Sequence, residues 1–211
     1  MAYNYTYNTE KGLFIKREAL RLMFATDNAT NVYNNNAELV EQGVADYNDK
    51  MDGAIYRAII RICQAKKAGL KKITIPSEKF EELKDGLDLT AMDDSAEIMQ
   101  INKISVKISN RPLMPYNSFY TIDYKTLVIE DDLPENASLT VWYYPSYVDL
   151  DSLRDDVIAI IPLYVKSELY EEDEATLAVK ARNMFESQLQ LIELEPQTIQ
   201  THSVNVLGGF C

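Results

Sequence analysis

A continuous apolar stripe between residues 49 and 68 is the strongest constraint on how this chain folds. Seven apolar residues recur there at alternating intervals of three and one: Met51, Ala54, Ile55, Ala58, Ile59, Ile62 and Cys63. This spacing follows the 3.6-residue period of an α-helix with one buried face. Lys66 and Lys67 in the last turn, with Gly69 just beyond, are typical of a helix C-terminus. The sequence therefore predicts a long helix that packs against a hydrophobic core.

Helical periodicity also appears nearer the N-terminus. A short amphipathic helix is indicated by four apolar residues: Ile15, Ala19, Leu22 and Met23. An Asn-rich loop follows, and its last residue, Asn36, is placed to cap a helix that begins at Ala37.

Two closing helices are predicted after residue 150. Ser152 and Asp155 have the spacing of a capping box, and Pro162 is expected to kink the helix that they open. The acidic run Glu171–Glu174 opens the last helix, which ends at Pro196. Its apolar face is predicted from Leu177, Ala181, Met184, Phe185, Gln188, Leu191 and Ile192.

Between Lys71 and Tyr144 the hydrophobic period changes from that of a helix to that of a strand. Alternating segments begin near residues 71, 104, 119, 126 and 138, with turn residues between them. The short gaps favour antiparallel pairing, because a parallel crossover needs a dozen residues or more. We therefore predict an α+β fold: a helical bundle of about four to five helices, an inserted small antiparallel β-sheet or barrel, and an extended C-terminal arm.

The predicted organisation has four parts. Residues 1–70 form the N-terminal helical part, and residues 71–145 form the β insertion. Residues 146–196 form a helical pair that packs with the N-terminal helices. Residues 197–211 have β-branched and small residues without a helical period, and are predicted to be an extended arm.

Residues suited to catalysis are scarce. The single histidine, His202, lies in the predicted arm, and the two cysteines, Cys63 and Cys211, have no zinc-ligand spacing. The chain contains no phosphate-binding glycine motif, and the acidic segment from Asp149 has Ile160 where a calcium-binding loop has glutamate. We predict no catalytic residue, no metal site and no cofactor, and do not expect an enzyme. A carboxylate-only metal site among Asp85–Asp94 and Glu130–Glu135 is the alternative of a different class.

Charge is divided unevenly along the chain. The formal net charge is −12, with +3 in residues 1–75 and −15 in residues 76–211. Such a balance argues against general affinity for nucleic-acid backbones, which requires a basic surface. The N-terminus lacks the pattern of a secretory signal, and no apolar run is long enough to span a membrane. We expect a soluble intracellular protein without a membrane partner.

One cationic cluster stands out in the sequence. It comprises Arg57, Arg61, Lys66, Lys67, Lys71 and Lys72. Charge runs usually form solvated faces, here with pairing to acids on the same helix such as Asp52. The alternative is a docking patch for an acidic partner, such as the acidic region of a neighbouring copy.

The closing portion of the chain resembles a known family. In LTVWYYPSYVDLDSLRDDVIAIIPLYVKSELYEEDEATLAVKARNMFESQLQLIE, an aromatic strand ending in proline leads to an acidic loop. A helix with the step Ile161–Tyr164, an acidic break, and a last helix with Asn183–Glu186 then follow. This order is similar to the C-terminal half of the tailed-phage head-to-tail connector (adaptor or neck) proteins. The segment DYNDKMDGAIYRAIIRI resembles the family's early helix, and Leu-Gly-Gly-Phe resembles a glycine–aromatic ending of its members. The resemblance covers residues 37–70 and 138–211.

The resemblance implies a structural role in the virion. Members of the family form a homo-oligomeric ring, commonly of twelve copies, that docks on the portal protein and contacts further neck or tail proteins. The genome passes through the lumen without sequence-specific binding, and assembly takes place in the cytoplasm of the bacterial host. The arm is then expected to insert into the portal or a neighbouring subunit through Thr198, Ile199, Val204, Val206, Leu207, Gly208, Gly209 and Phe210. A tail-completion or baseplate adaptor is the alternative within the virion.

Overall fold

In a computed structural model, which describes residues 6–24, 45–92, 98–109, 111–123, 125–171 and 174–193, the first and last described segments are mainly helical and strands occupy the segments between them. Within these ranges the α-helices are α1 (Glu10–Phe24), α2 (Ala45–Lys66), α3 (Phe80–Asp85), α4 (Asp155–Ile158), α5 (Ile161–Leu169) and α6 (Ala175–Leu191). The strands are β1 (Lys71–Pro76), β2 (Leu87–Asp88), β3 (Ile98–Ile108), β4 (Met114–Tyr116), β5 (Tyr120–Ile122), β6 (Thr126–Val128) and β7 (Ala137–Pro145). Short 3₁₀ helices cover Ser77–Lys79, Leu89–Ala91 and Leu150–Ser152.

This element order confirms the predicted α+β class. Five helices (α1, α2, α4, α5 and α6) build the bundle, and α3 belongs to the β segment. The predicted helix start at Ala37 and the predicted C-terminal arm lie outside the described residues. The helices within the described ranges are each too short or too polar to span a lipid bilayer.

The helical core forms around α5. This nine-residue helix contacts α1, α2 and α6, and every residue from Ile161 to Val165 is buried. These five residues cover more than one helical turn, so this part of α5 is apolar on all sides and is stable only when other elements surround it. The predicted stripe of α2 lies against this core, since all seven of its residues from Met51 to Cys63 are fully buried.

A buried ion pair joins α1 to α2. Lys16 is 1% exposed, and its Nζ lies 2.7 Å from Oδ1 of Asp52. The same oxygen accepts a hydrogen bond of 3.1 Å from the backbone N–H of Tyr7. Asp52 thus connects α2 both to α1 and to the segment that precedes it, instead of pairing along its own helix.

Two antiparallel sheets form the β segment. One has the strand order β1-β7-β3-β4, and the other has the order β2-β6-β5. Residues of β7 alternate strictly between buried and half-buried, so one face of the larger sheet lines a second core. Phe80 and Leu83 of α3 pack into that core. The sequence predicted either a small sheet or a barrel, and the strands form open sheets.

A tight turn connects the bundle to the sheet. Lys67, directly after α2, has a φ of 52°, and its N–H donates to the carbonyl of Cys63. Gly69 has a φ of 74°, and a Cβ added there would lie 2.4 Å from Cγ1 of Val148. Glycine is required at this position for both reasons. The turn places the start of β1 beside the segment that follows β7.

The start of the closing helices differs from the prediction. Ser152 does not form a capping box, because it lies in a 3₁₀ turn where its hydroxyl donates to the carbonyl of Asp149. No side chain caps α4, which begins at Asp155. Pro162 does not kink a continuous helix either. It stands in the first turn of α5, where a missing N–H costs no hydrogen bond.

The predicted apolar face of α6 is also rotated from the observed one. The buried residues are Ala178, Ala181, Phe185 and Leu189. Leu177, Met184 and Leu191 of the predicted face are exposed, and the exposed fraction of Leu191 is 82%. Helix α6 therefore carries apolar residues on two faces, and the bundle buries only one of them.

Candidate interaction surface

The predicted basic cluster divides into two groups. Arg57 and Arg61 lie on α2 and point towards the closing helices. Arg57 donates to Oε2 of Glu168 on α5 through Nε (3.2 Å) and Nη2 (2.9 Å). Arg61 forms a two-point pair with Glu186 on α6, with both N···O distances at 2.8 Å. These arginines therefore connect α2 to α5 and α6 within one chain.

Glu168 is shared between two arginines. Its second oxygen accepts from Nη2 of Arg182 at 2.6 Å, and the Arg182 guanidinium stacks 3.7 Å from the centre of the Tyr164 ring. Burial raises the pKa of the Tyr164 hydroxyl. The network links three helices at the side of the bundle where α2, α5 and α6 meet.

The Arg61–Glu186 pair predicts a pH dependence of stability. The hydrogen bond from Arg61 holds the pKa of Glu186 below its ordinary value, so the folded state binds that proton less readily than the unfolded chain. The stabilisation is therefore present above the unfolded pKa of about 4.3 and is lost as the pH falls through the folded pKa. At pH 7 we expect Glu186→Gln to cost about 0.2–1 kcal/mol, as for an exposed pair. The difference from the unsubstituted protein, measured by urea unfolding from pH 7 to pH 3, should shrink with acidification. A constant difference would contradict this assignment.

The second group of basic residues surrounds a cavity at the junction of bundle and sheet. Lys66, Lys67 and Lys71 line this cavity of about 580 Å³. None of the three forms an ion pair with a carboxylate in the part of the chain that the structure describes. Lys66 Nζ donates to the carbonyl of Gln190 at 3.1 Å, and Lys67 lies over the Tyr144 ring. The three lysines therefore place positive charge in a concave site, and no described carboxylate forms an ion pair with them.

Sequence reasoning missed the rest of the cavity wall. Arg154 contributes a guanidinium that pairs with Asp156 and donates to the carbonyl of Glu193 at 3.1 Å. Asp149 is the one carboxylate among the described lining residues, and Tyr144, Val148, Leu153 and Val157 supply apolar surface. Arg154 lies inside the acidic segment that begins at Asp149, where the surrounding carboxylates mask it. No local pattern relates it to lysines that lie so far away along the chain.

Lys72 belongs to the sheet and not to the cavity. Its Nζ lies 5.8 Å from the centre of the Trp142 ring, and Lys103 approaches the same ring at 5.6 Å. The three residues are register partners on β1, β7 and β3. A lysine on each side of the indole is favoured by cation–π attraction.

The two ends of α6 differ in charge. Glu171 and Glu174 at its N-terminal end are exposed, and neither pairs with a basic side chain among the described residues. Its C-terminal end lies at the cavity, through the hydrogen bonds from Lys66 to Gln190 and from Arg154 to Glu193. Between these ends, Leu177, Met184 and Leu191 recur every seven residues with exposed side chains. We call these three residues the α6 seam.

Two acids of the alternative enzyme site, Asp88 and Asp131, are held by local hydrogen bonds. Asp88 accepts from the hydroxyl and N–H of Thr90, and Asp131 accepts from the Tyr116 hydroxyl at 2.8 Å. These hydrogen bonds lower the pKa of both carboxyls. Within the described ranges, no three His, Cys, Asp or Glu side chains are grouped to hold a metal ion. Cys63 is fully buried, and burial raises the pKa of its thiol to about 11.

The predicted binding arm, from Thr198 to Phe210, and the histidine within it lie outside the described residues. No protein-family model matches the chain, and no curated protein is significantly similar to it.

Proposed function

We propose that the protein is a structural subunit of a tailed-phage head-to-tail connector. In this role, copies assemble into a ring that docks on the portal protein and continues the DNA channel towards the tail. The subunit resides in the neck of the virion, and the ring contains about twelve copies, as the family resemblance implies.

The observation that carries the proposal is the α6 seam. Its three apolar side chains share one face of α6 and are exposed by 36% (Leu177), 45% (Met184) and 82% (Leu191) in the single chain. Apolar residues repeated every seven positions are typical of a helix that packs against another helix. Burial against a neighbouring copy would remove this apolar area from water, which favours association at roughly 25 cal/mol per Å² before the costs of association.

Two further features support assembly. The lysines of the cavity and the acids at the opposite end of α6 form no ion pairs within the described ranges, and they are complementary in sign. The order of strand, acidic loop, proline-containing helix and last helix resembles the connector family over residues 138–211, and α2 resembles its early helix. The helical bundle with an inserted β segment provides the rigid body on which these surfaces are displayed.

The proposal is tested by the mass of the assembled protein. Native mass spectrometry and negative-stain electron microscopy of the full chain, alone and with the portal protein of the same virus, are expected to show a closed ring. Rings of about twelve copies support the connector, whereas sixfold or threefold rings would favour a tail or baseplate adaptor. A protein that stays monomeric in both samples would refute the proposal.

Variants of the seam give a prediction at residue level. Met184→Ser with Leu191→Ser should abolish or strongly weaken ring formation and leave the urea midpoint of the monomer nearly unchanged, because both side chains are already exposed. Val179→Ser is the matched control, since Val179 is 59% exposed on the same helix but lies off the seam. Equal effects of the control and the seam variant would exclude the seam as the contact.

A further inference from the structure

We infer that the lysine-lined cavity binds an acidic protein segment, and that its occupant is the N-terminal end of α6 from a second copy of the chain. The inference rests on the proposed self-assembly and names the contact that drives it. It assigns a role to Lys66, Lys67 and Lys71, and also to Glu171 and Glu174.

The cavity has the size and lining of a binding site. A volume of about 580 Å³ lies within the range of pockets that bury several groups of a ligand. Three lysines approach it from α2, the turn after α2 and β1, and none of them pairs with a described carboxylate. Asp149 is the single acid of the described wall. Tyr144, Val148 and Val157 contribute apolar surface, which weakens local screening of charge by water. An anionic, partly apolar occupant matches this lining.

The acidic end of α6 offers the matching chemistry. The chain reads Glu-Glu-Asp-Glu from residue 171 to residue 174. Its described members, Glu171 and Glu174, are exposed and form no ion pair with another described residue. Leu177 follows one turn later and is exposed as well. A neighbouring copy would therefore present carboxylates first and an apolar side chain behind them.

A chain does not fill its own cavity with this segment. Helix α6 has 17 residues and is thus about 25 Å long, with the acidic end and the cavity at opposite ends. The contact must join two copies. Because the two surfaces differ, the contact is heterologous, and its repetition generates a closed ring when the rotation between copies closes.

Nucleic acid is the competing anionic occupant. The formal charge of −12 opposes the approach of a phosphate backbone. Asp149 lines the cavity, and Asp156 pairs with Arg154 of the cavity wall. A short acidic segment brings only a few carboxylates to the cavity, whereas a duplex brings a dense row of phosphates, so the segment meets less of this repulsion. The observations therefore favour a protein occupant.

A charge-exchange experiment tests the inference. Lys67→Glu with Lys71→Glu, and separately Glu171→Lys with Glu174→Lys, should each weaken self-association roughly tenfold or more at low salt. An equimolar mixture of the two variants should restore it, because each reversed cavity then meets a reversed segment. Lys107→Glu with Arg111→Glu is the matched control. It changes the net charge of the chain as much as the cavity variant does, but at exposed residues of the β segment. Circular dichroism and urea midpoints establish that all variants fold.

Carbodiimide cross-linking of mixed ¹⁴N- and ¹⁵N-labelled copies, with portal protein present, identifies the contact directly. Links between the three lysines of one copy and Glu171 or Glu174 of another are expected. Rings whose links lie elsewhere would overturn the inference and leave the connector function standing. Dimers with the expected links would retain the cavity contact and refute the ring. No association would refute both. Duplex DNA binding that Lys67→Glu with Lys71→Glu abolishes, with self-association intact, would also overturn the inference.

Discussion

Replacing Lys16 by methionine is expected to lower the free energy of unfolding by about 3–5 kcal/mol, because it leaves the Asp52 carboxylate without its cation. Methionine keeps most of the volume of the lysine stem, so the loss reports charge and not a cavity. Lys16 is 1% exposed, and the Asp52 side chain retains 18% of its surface, which places the expected loss towards the lower end of the range.

The double variant Lys16→Met with Asp52→Asn separates charge from packing. It removes both charges and keeps a carbonyl oxygen that can accept from the N–H of Tyr7. It should therefore be more stable than Lys16→Met alone, as removing both members of a buried pair usually costs less than removing one.

The control for an exposed ion pair is Lys79→Ala, which breaks the pair with Glu82 and should cost no more than about 1 kcal/mol. Urea unfolding at pH 7 measures all three. Equal stability of the single and double variants would show that the pair is not what holds α1 to α2.

Phe185→Ala is expected to cost about 3–5 kcal/mol, whereas Met184→Ala should change stability by less than about 0.5 kcal/mol. The two residues are neighbours on α6 with opposite environments. Phe185 is fully buried and meets the Tyr164 ring edge-on, with ring centres 5.1 Å apart, whereas Met184 is 45% exposed. Removing the phenyl ring opens a cavity between α5 and α6, while trimming the methionine leaves the core intact.

The pair also tests the rotation of α6 about its axis. Measurements belong at protein concentrations where the chain is monomeric, so that the stability of an assembly does not contribute. A loss at Met184 comparable to that at Phe185 would indicate that the buried face is the one predicted from sequence. Retention of near-native stability by Phe185→Ala would contradict the observed packing of α6 on α5.

Sequence alone was sufficient where the hydrophobic period and the burial agree. The α2 stripe, from Met51 to Cys63, is buried at all seven predicted positions, since only one face of that helix is apolar. The predicted strand at residues 71–76 coincides with β1, and the alternation of residues 138–144 falls within β7. Local pattern determined these elements because each has a single apolar face.

Which face of α6 is buried could not be predicted from the sequence pattern. Its residues Leu177, Met184 and Leu191 form one apolar row, and Ala178, Phe185 and Leu189 form another. Periodicity detects both rows and cannot decide which of them the bundle covers. Which row is buried depends on α5, because the Phe185 ring packs against the buried Tyr164 ring of that helix.

Long-range polar contacts were equally invisible to sequence. Lys16 and Asp52 sit in separate helices with no spacing rule between them, and the pairing of Arg57 and Arg61 with Glu168 and Glu186 depends on how α2 lies against the closing helices. The cationic cluster is visible in the sequence, but only the fold shows that it divides into paired arginines and cavity lysines.

The pairing of β1 with β7 has a consequence for how such a chain can change over evolution. Lys71, the first residue of the β segment, is the register partner of Tyr143, near its last residue. Partners in an antiparallel pair lie about 5 Å apart, so the polypeptide leaves the helical bundle and returns to it at almost the same point. A short loop could bridge that gap, and the helices would keep their path. The β segment can therefore be exchanged, enlarged or deleted without moving the points at which the chain leaves and re-enters the bundle.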